Sequence, residues 1–416
     1  MQGIPHTRRI ISQNFFSAMD SVSVNNNHFE HPQSHDTNLV VLNAQSDLAL
    51  LRMARDTNLP YTIHVESQSL LDLLVRYRLK NLECLVIVTK LAQIIVDLSL
   101  FPAAFPSLRI LQIWGPVPPG TFFEDIDRLF GQRPIEVQLA HTSAIHNMII
   151  TTYGGISVLS VIGAGCSSIH ITRGKNGGFI PHEVVISACN TLANVTFDSN
   201  NNNHSLLLHI SDCPVLHSIT LPLVFHDHSK LFFAHLPRLH MIIPVSPLGA
   251  SCVVSVMDHK TLSRLRLALF LKEMDKTTLS IDLANNSLSN DQSAAFGMCQ
   301  AVFIANGHLS SDTWLQPSRF SNPINHMKYK TPETVSLVKC TCDKGFFSLT
   351  LFAQAETIII DGDTFYNPIV QTDLLTPATI SIKKTRFLQI TNTYVPKHFI
   401  EQMAVVHPEI QVRLVA

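Results

Sequence analysis

The chain reads as an α/β solenoid, a horseshoe with short parallel strands on its concave face and irregular helices on its convex face. Three observations predict this. First, apolar pairs two residues apart recur at near-constant spacing. Ile63, Leu85, Leu111 and Val137 open successive pairs, in steps of 22, 26 and 26 residues. That is about the length of one strand plus one helix. Second, a proline phrase precedes a strand-like run four times, in FPSLRILQI from Phe105, CPVLHSITL from Cys213, LPRLHMIIP from Leu236 and HPEIQVRLV from His407. Proline disfavours helix in the residue before it and lacks a donor, so each phrase predicts a helix-to-strand junction. Third, the 416 residues are 46% apolar and only 15% charged. Such a chain is rich in core and poor in solvated helix face. Stacked units accommodate this length more readily than one enlarged core.

The elements follow in order. Residues 1–37 form an irregular leader with no periodic apolar face, and residues 38–416 form a single elongated solenoid. Ser46–Asn58 predicts a helix, with Leu48, Leu51, Met53 and Ala54 apolar. Tyr61–Val65 is a strand, Ser69–Leu79 an amphipathic helix, and Leu82–Val88 the next strand. Ser107–Trp114 and Ile135–Leu139 continue the series. Residues 143–180 are the least periodic and hold Ser157–Gly163, Ser168–Thr172 and a glycine loop at Gly174–Gly178. Asn200–Asn203 reads as a polar loop tip. Lys260–Met274 reads as a helix and Asp312–Pro332 as a long excursion. Strands resume at Val335–Cys340, Thr357–Ile360, Ala378–Ile382 and Phe387–Thr391. A helix at His398–Val406 leads to the last strand, Ile410–Leu414.

One stretch carries a fuller pattern. Thr278–Leu288 reads TLSIDLANNSL, with Ile281 and Leu283 as an inward pair, then Asn286 and Leu288. The next segment repeats it through Cys299, Val302, Ile304, Gly307 and Leu309. Another unit runs Leu192, Val195, Phe197, Asn200. In such a unit the inward pair alternates with an outward residue on a short strand. The asparagine amide satisfies turn backbone groups that burial would otherwise orphan. These residues resemble the leucine-rich-repeat superfamily, especially its irregular intracellular kind, over roughly residues 60–416. The Cys-Pro at Cys213 is similar to the Cys-containing repeats of ubiquitin-ligase receptors. The N-terminus has no F-box-like helical module, so that function is not implied. Elsewhere the asparagine position holds Lys90, Pro116 or Val224, and regular curvature is not implied either.

The totals exclude several classes. Lys plus Arg (30) balances Asp plus Glu (31), leaving a net charge of −1. No basic excess is present to bind nucleic-acid phosphates or anionic lipid. No run of apolar residues is long enough to predict a membrane span. The eight cysteines lack a tight framework and read as free buried thiols in a reducing compartment. A cytoplasmic location follows. The alternative is mitochondrial, because the first 19 residues carry Arg8 and Arg9 and no acid.

No catalytic pattern stands out. Val158–Ser168, VLSVIGAGCSS, resembles a dinucleotide-binding glycine turn at Gly163 and Gly165. A strand-like Ile169-His170-Ile171 follows it where a phosphate-binding helix is required. It therefore reads as a tight turn between buried strands. His226-Asp227-His228 and Cys340-Thr341-Cys342 have no second ligand pair at metal spacing, and Asp361-Gly362-Asp363 reads as a turn. No cofactor is expected.

The outward residues of the strands are the candidate binding surface: Arg109, Gln112 and Trp114, then His217, Thr220 and His240, then Ser280, Asp282, Phe303 and Gln389. Trp and Arg are favoured interface anchors. The resulting expectation is a non-enzymatic scaffold that binds a protein partner on its concave strand face. The alternatives are a structural subunit of a large, organellar assembly, or an enzyme on a parallel-β fold with His and Asp brought together across turns.

Overall fold

One column of aliphatic side chains organises the structure. Leu42, Ile63, Leu85, Leu111, Val137, Leu159, Val184 and Leu208 are successive register partners on parallel strands. Leu231, Val254, Leu279, Val302, Val335, Ile358, Leu388 and Val412 continue the series. From Ile63 through Val335 none is more than 1% exposed. A second column lies two residues further along each strand, aliphatic from Val65 to Ile390 except at Phe233. Burying each such side chain contributes roughly 1.5–3 kcal/mol, and the ladder between strands satisfies the backbone. The four residues that opened the sequence series, Ile63 to Val137, follow Leu42 in the first column.

The computed structural model is thus a parallel β-solenoid with few helices, built on one 16-stranded sheet. It describes residues 40–42, 47–89, 96–116, 121–141, 146–152, 154–173, 180–198, 205–221, 229–243, 248–258, 260–261, 265, 274–283, 299–309, 332–342, 355–361, 386–391, 401, 404–405 and 408–415. All belong to one unit, Val40–Ala416. The expected leader, the tips at Gly174–Gly178 and Asn200–Asn203, the excursion at Asp312–Pro332, the strand Ala378–Ile382 and the His226–His228 triplet lie outside the described residues. So do nearly all of residues 260–273 and most of His398–Val406. Met274, expected to end a helix, instead opens the strand Met274–Asp282.

Two regions close their coils differently. Before residue 141 the chain returns between strands through helices. Asp47–Asp56 buries Leu50, Leu51 and Ala54. Gln68–Tyr77 buries Leu70, Leu71 and Leu74, and Ser67 caps it by accepting from Leu70 N at 3.2 Å. A short helix covers Phe101–Ala104. Thr121–Phe130, a helix the sequence reading lacks, buries Phe122, Phe123, Ile126 and Phe130 at helical spacing.

From Asn147 to Ile243 the return passes are strands. They form a second parallel sheet of five: Asn147–Thr152, Ser168–Arg173, Asn194–Phe197, Ser218–Thr220 and Met241–Ile243. Its own inward column is Met148, Ile169, Val195, Ile219 and Ile242. Both sheets bury their columns in one shared core. The region expected to be least periodic therefore contributes strands to both sheets.

The second sheet corrects three expectations. The unit Leu192, Val195, Phe197 belongs to it, because either sheet satisfies a two-residue alternation. The proline phrases at Cys213 and Leu236 follow the strands Leu207–Ser211 and Ser229–Ala234. They mark strand-to-strand corners, not helix-to-strand junctions. Each closes a turn in which Leu216 N donates to Cys213 O and Leu239 N to Leu236 O, with Pro214 and Pro237 at the second turn position that proline favours. The pattern at Thr278–Leu288 also sits two residues out of frame. Leu279 and Ile281 are the inward pair, and Ile281 pairs with Ile304, not Val302. Leu283 is equally buried, so a shift of two keeps the parity and conceals the error. Asn286 and Leu288 lie outside the described residues.

After seven of the long-sheet strands the chain turns through the left-handed region. Gly163, His141, Ala188, Asp212, His235, Asn306 and Lys339 have φ between 51° and 60°. Their amides continue the ladder, as where Ala188 N donates to Ser211 O and Asp212 N to Ala234 O. The position after this residue lies three residues beyond the second inward column. Cys189, Cys213 and Cys340 fill it, each 0% exposed. Their thiols donate to strand carbonyls, Cys340 to Ile304 O and Val338 O at 3.4 Å each. After the others of these left-handed residues whose successor is described stand Ala164, Leu236 and Gly307, so none of these positions holds asparagine. Cys340 lies at a corner, and Thr341–Cys342 is a separate short strand. The seven described cysteines are all free and buried.

Candidate functional site

The residue between the two inward columns points away from the core on every long-sheet strand. Register aligns these residues into one outward row. Its C-terminal half reads His209, Phe232, Ser255, Ser280, Phe303, Ser336, Ile359, Gln389 and Arg413. His209 and Phe232 are tilted rings 4.2 Å apart between centroids. Two serines separate Phe232 from Phe303, so the rings stand about 14 Å apart at the usual strand spacing. The row is shallow: Phe232, Ser255, Ser280 and Ile359 are buried although they face outward. Ser336 is wholly buried between Phe303 and Ile359, and its hydroxyl has no hydrogen-bond partner. Flanking residues are small or β-branched, among them Thr278, Ala301 and Thr334 on one side and Ala305 and Val338 on the other. Among the described residues, charge enters this half of the face at the last position of the row, Arg413, and at the borders. Lys230, Asp282 and Asp361 lie in the flanking rows, and Glu356 and Arg386 form a 3.8 Å ion pair where their strands begin.

The N-terminal half of the same face is more polar. Gln112 and Gln138 lie in the row. Trp114 lies in the next row out, half-buried, edge-on to His64 and to His141 with centroids 6.3 Å away in both cases. Its indole Nε1 is buried and has no hydrogen-bond partner. Burial holds the His64 imidazole below its usual range, against the opposing pull of Glu66. Arg109 precedes its strand, is largely exposed, and lies 3.9 Å from Glu83. Glu136 and Glu183 face outward on strands flanking Val158. Burial first, and Glu136 second, raise the Glu183 carboxyl above the usual carboxylate range.

The ten candidate residues therefore fall on two surfaces. Gln112, Ser280, Phe303 and Gln389 share the outward row, with Trp114 and Asp282 beside it and Arg109 at its border. Asp282 accepts from Asn306 Nδ2 at 3.0 Å. His217, Thr220 and His240 belong to the second sheet. His217 and His240 stack edge-on at its corner, centroids 6.1 Å apart, and Thr220 lies outward on Ser218–Thr220. The residues missed in this half of the row are His209, Phe232, Ser255, Ser336, Ile359 and Arg413. The signal that finds them is the inward pair itself, since each lies between two column residues.

One cluster lies at the corners. His235 Nδ1 is 2.9 Å from Asp212 Oδ1 in the preceding coil. Asp258 in the following coil accepts from His235 N at 2.6 Å and from Thr261 N at 2.8 Å. Among the described residues no group of three or more His, Cys, Asp or Glu could hold a metal ion, and no helix is long and apolar enough to cross a membrane. No protein-family model matches the chain, and neither does any curated protein or solved structure.

Proposed function

We propose that this chain is a non-enzymatic scaffold that docks a protein partner on the outward face of its long sheet. In this reading the solenoid is an irregular leucine-rich-repeat horseshoe, with this face concave and the helices on the convex side. The observation that carries the proposal is the uncharged row from Phe232 to Gln389. Two aromatic rings stand on a floor of serine and small residues, framed by charge at the borders and at Arg413. Interfaces have this anatomy: an apolar, aromatic centre and a polar rim. A phosphate backbone would find no cations there. Strands hold the row rigid, so little ordering entropy opposes association. The proposal includes an intracellular setting, in keeping with seven free thiols.

The test is affinity purification of the full-length protein from its native cells, read by mass spectrometry. A stoichiometric protein partner is the expected result. Purification with no partner would overturn the scaffold and turn attention to small molecules.

The second reading, an enzyme on a parallel-β fold, draws on the pairing of His235 with Asp212 across two coils. The scaffold is preferred because the carboxylate of Asp258 is taken up by the amides of His235 and Thr261 and by the Thr261 hydroxyl. That carboxylate holds a corner.

A further inference from the structure

Cys189 and Cys213 occupy the same place in adjacent coils, three residues beyond the register partners Ile186 and Ile210. Each follows a left-handed residue, Ala188 or Asp212. Each opens the same turn, with Leu192 N donating to Cys189 O and Leu216 N to Cys213 O. Each thiol lies against the last carbonyl of its strand, Cys189 with Ser187 O at 3.4 Å and Cys213 with Ser211 O at 3.2 Å. Equivalent residues of neighbouring parallel strands stand about 4.8 Å apart. That lies inside the roughly 4.4–6.8 Å between Cα atoms that a disulfide spans.

The nearness of each thiol is the largest influence on the ionisation of the other. That nearness and the backbone around Gly163 and Ala164 hold the Cys189 thiol below its ordinary range, while Cys213 is pushed up. Among the described residues no other adjacent pair of coils has cysteine twice at this position. Ala164 holds it in the coil before and Leu236 in the coil after. Gly307 holds it in the coil before Cys340. Cys166 is buried nearby but two residues out of phase with the pair.

We propose that Cys189 and Cys213 are a redox-responsive pair that closes an inter-coil disulfide when a peroxide-class oxidant reaches them. The Cys189 thiolate attacks one peroxide oxygen and the O–O bond breaks. Cys189 becomes a sulfenic acid, and the departing hydroxide takes up a proton to form water. Cys213 then loses its proton and attacks the Cys189 sulfur. The S–O bond breaks, hydroxide leaves and is protonated to a second water, and the S–S bond forms. Two thiols are oxidised and one peroxide is reduced to two waters. The new bond ties two coils in the region where both sheets share one core.

The experiment treats the native full-length protein with hydrogen peroxide, blocks remaining thiols by alkylation, and maps peptides without reduction. The expected result is one linked pair, Cys189 with Cys213, lighter by two hydrogens and reversed by dithiothreitol. Cys340 stays a free thiol in the same sample. Oxidation then raises the thermal midpoint of the wild type but not of Cys189→Ala or Cys213→Ala. Because the peptide map uses wild-type protein, a misfolded variant does not obscure it. Free Cys189 and Cys213 after treatment, a link formed only once the chain is unfolded, or equal linkage to Cys166 would each overturn the proposal.

Discussion

The coils before residue 141 and those between Asn147 and Ile243 share one aliphatic column yet return by different routes, helices in the first region and strands in the second. Length does not decide the route. The step from Ile63 to Leu85 is 22 residues and contains the helix Gln68–Tyr77, whereas the step from Val184 to Leu208 is 24 and contains the strand Asn194–Phe197. The return segment's own periodicity decides. Leu70, Leu71 and Leu74 recur at helical spacing, and Met148, Ile150 and Thr152 alternate, all buried. The column constrains only the strand it passes through, so one solenoid accepts both kinds of coil.

If the column is shared, its loss costs the same in both regions. Leu111→Ala and Leu208→Ala should each destabilise by about 3 kcal/mol in chemical denaturation. A cost below about 1 kcal/mol at either would show that its region lacks the common core.

The corners give the next largest effect. A methyl group at position 307 would meet Leu283 Cδ1 at 2.2 Å and its Cβ at 2.9 Å. Gly307→Ala should therefore cost about 2 kcal/mol. Adding Leu283→Ala removes Cδ1 and Cγ and should relieve the severest part of the clash, leaving the double variant less destabilised than the sum of the two single changes. Strict additivity would mean that the corner has another cause.

Ser67→Ala sharpens the contrast between routes. It should cost about 1 kcal/mol through the lost cap and raise amide exchange in Gln68–Tyr77, without altering exchange in the five-stranded sheet. Loss of protection in both would mean that the two regions unfold as one.

The smallest expected effect depends on pH. The Glu183 carboxyl is raised by burial and then by Glu136, so the folded state holds its proton more tightly than the unfolded state. The stability from this group is complete below the ordinary glutamate range and is lost as pH rises through the elevated value. Glu183→Gln should therefore raise the melting midpoint at neutral pH, with the advantage shrinking toward acid. A gain that grows as pH falls would contradict this assignment.

Much of the long sheet was legible in the sequence. Tyr61–Val65, Leu82–Val88 and Phe387–Thr391 have the expected bounds, because strong alternation between polar punctuation marks both ends. The second sheet was not legible. Its strands alternate as the long sheet's do, and the same proline phrase precedes both kinds, so Val195 and Ile219 look like further turns of one ladder. The same ambiguity placed His217, Thr220 and His240 beside Ser280 and Phe303 on one face. Gln112, Ser280, Phe303 and Gln389 were recoverable because each stands between two inward residues. Ser336 and Phe232 obey the same rule. The equivalence of the corner cysteines was hidden because their position can be counted only once register fixes Val184 beside Leu208.

The docking face is the central claim, and three full-length variants of matched stability test it in affinity purification. Ser280→Arg with Phe303→Arg alters the centre of the row. Arg109→Ala, Gln112→Ala and Trp114→Ala together alter its N-terminal end. His217→Ala with His240→Ala alters the second sheet. The account predicts that the central pair abolishes partner recovery, the N-terminal triple reduces it, and the second-sheet pair leaves it intact. Full recovery with the central pair, or loss with the second-sheet pair alone, would contradict it.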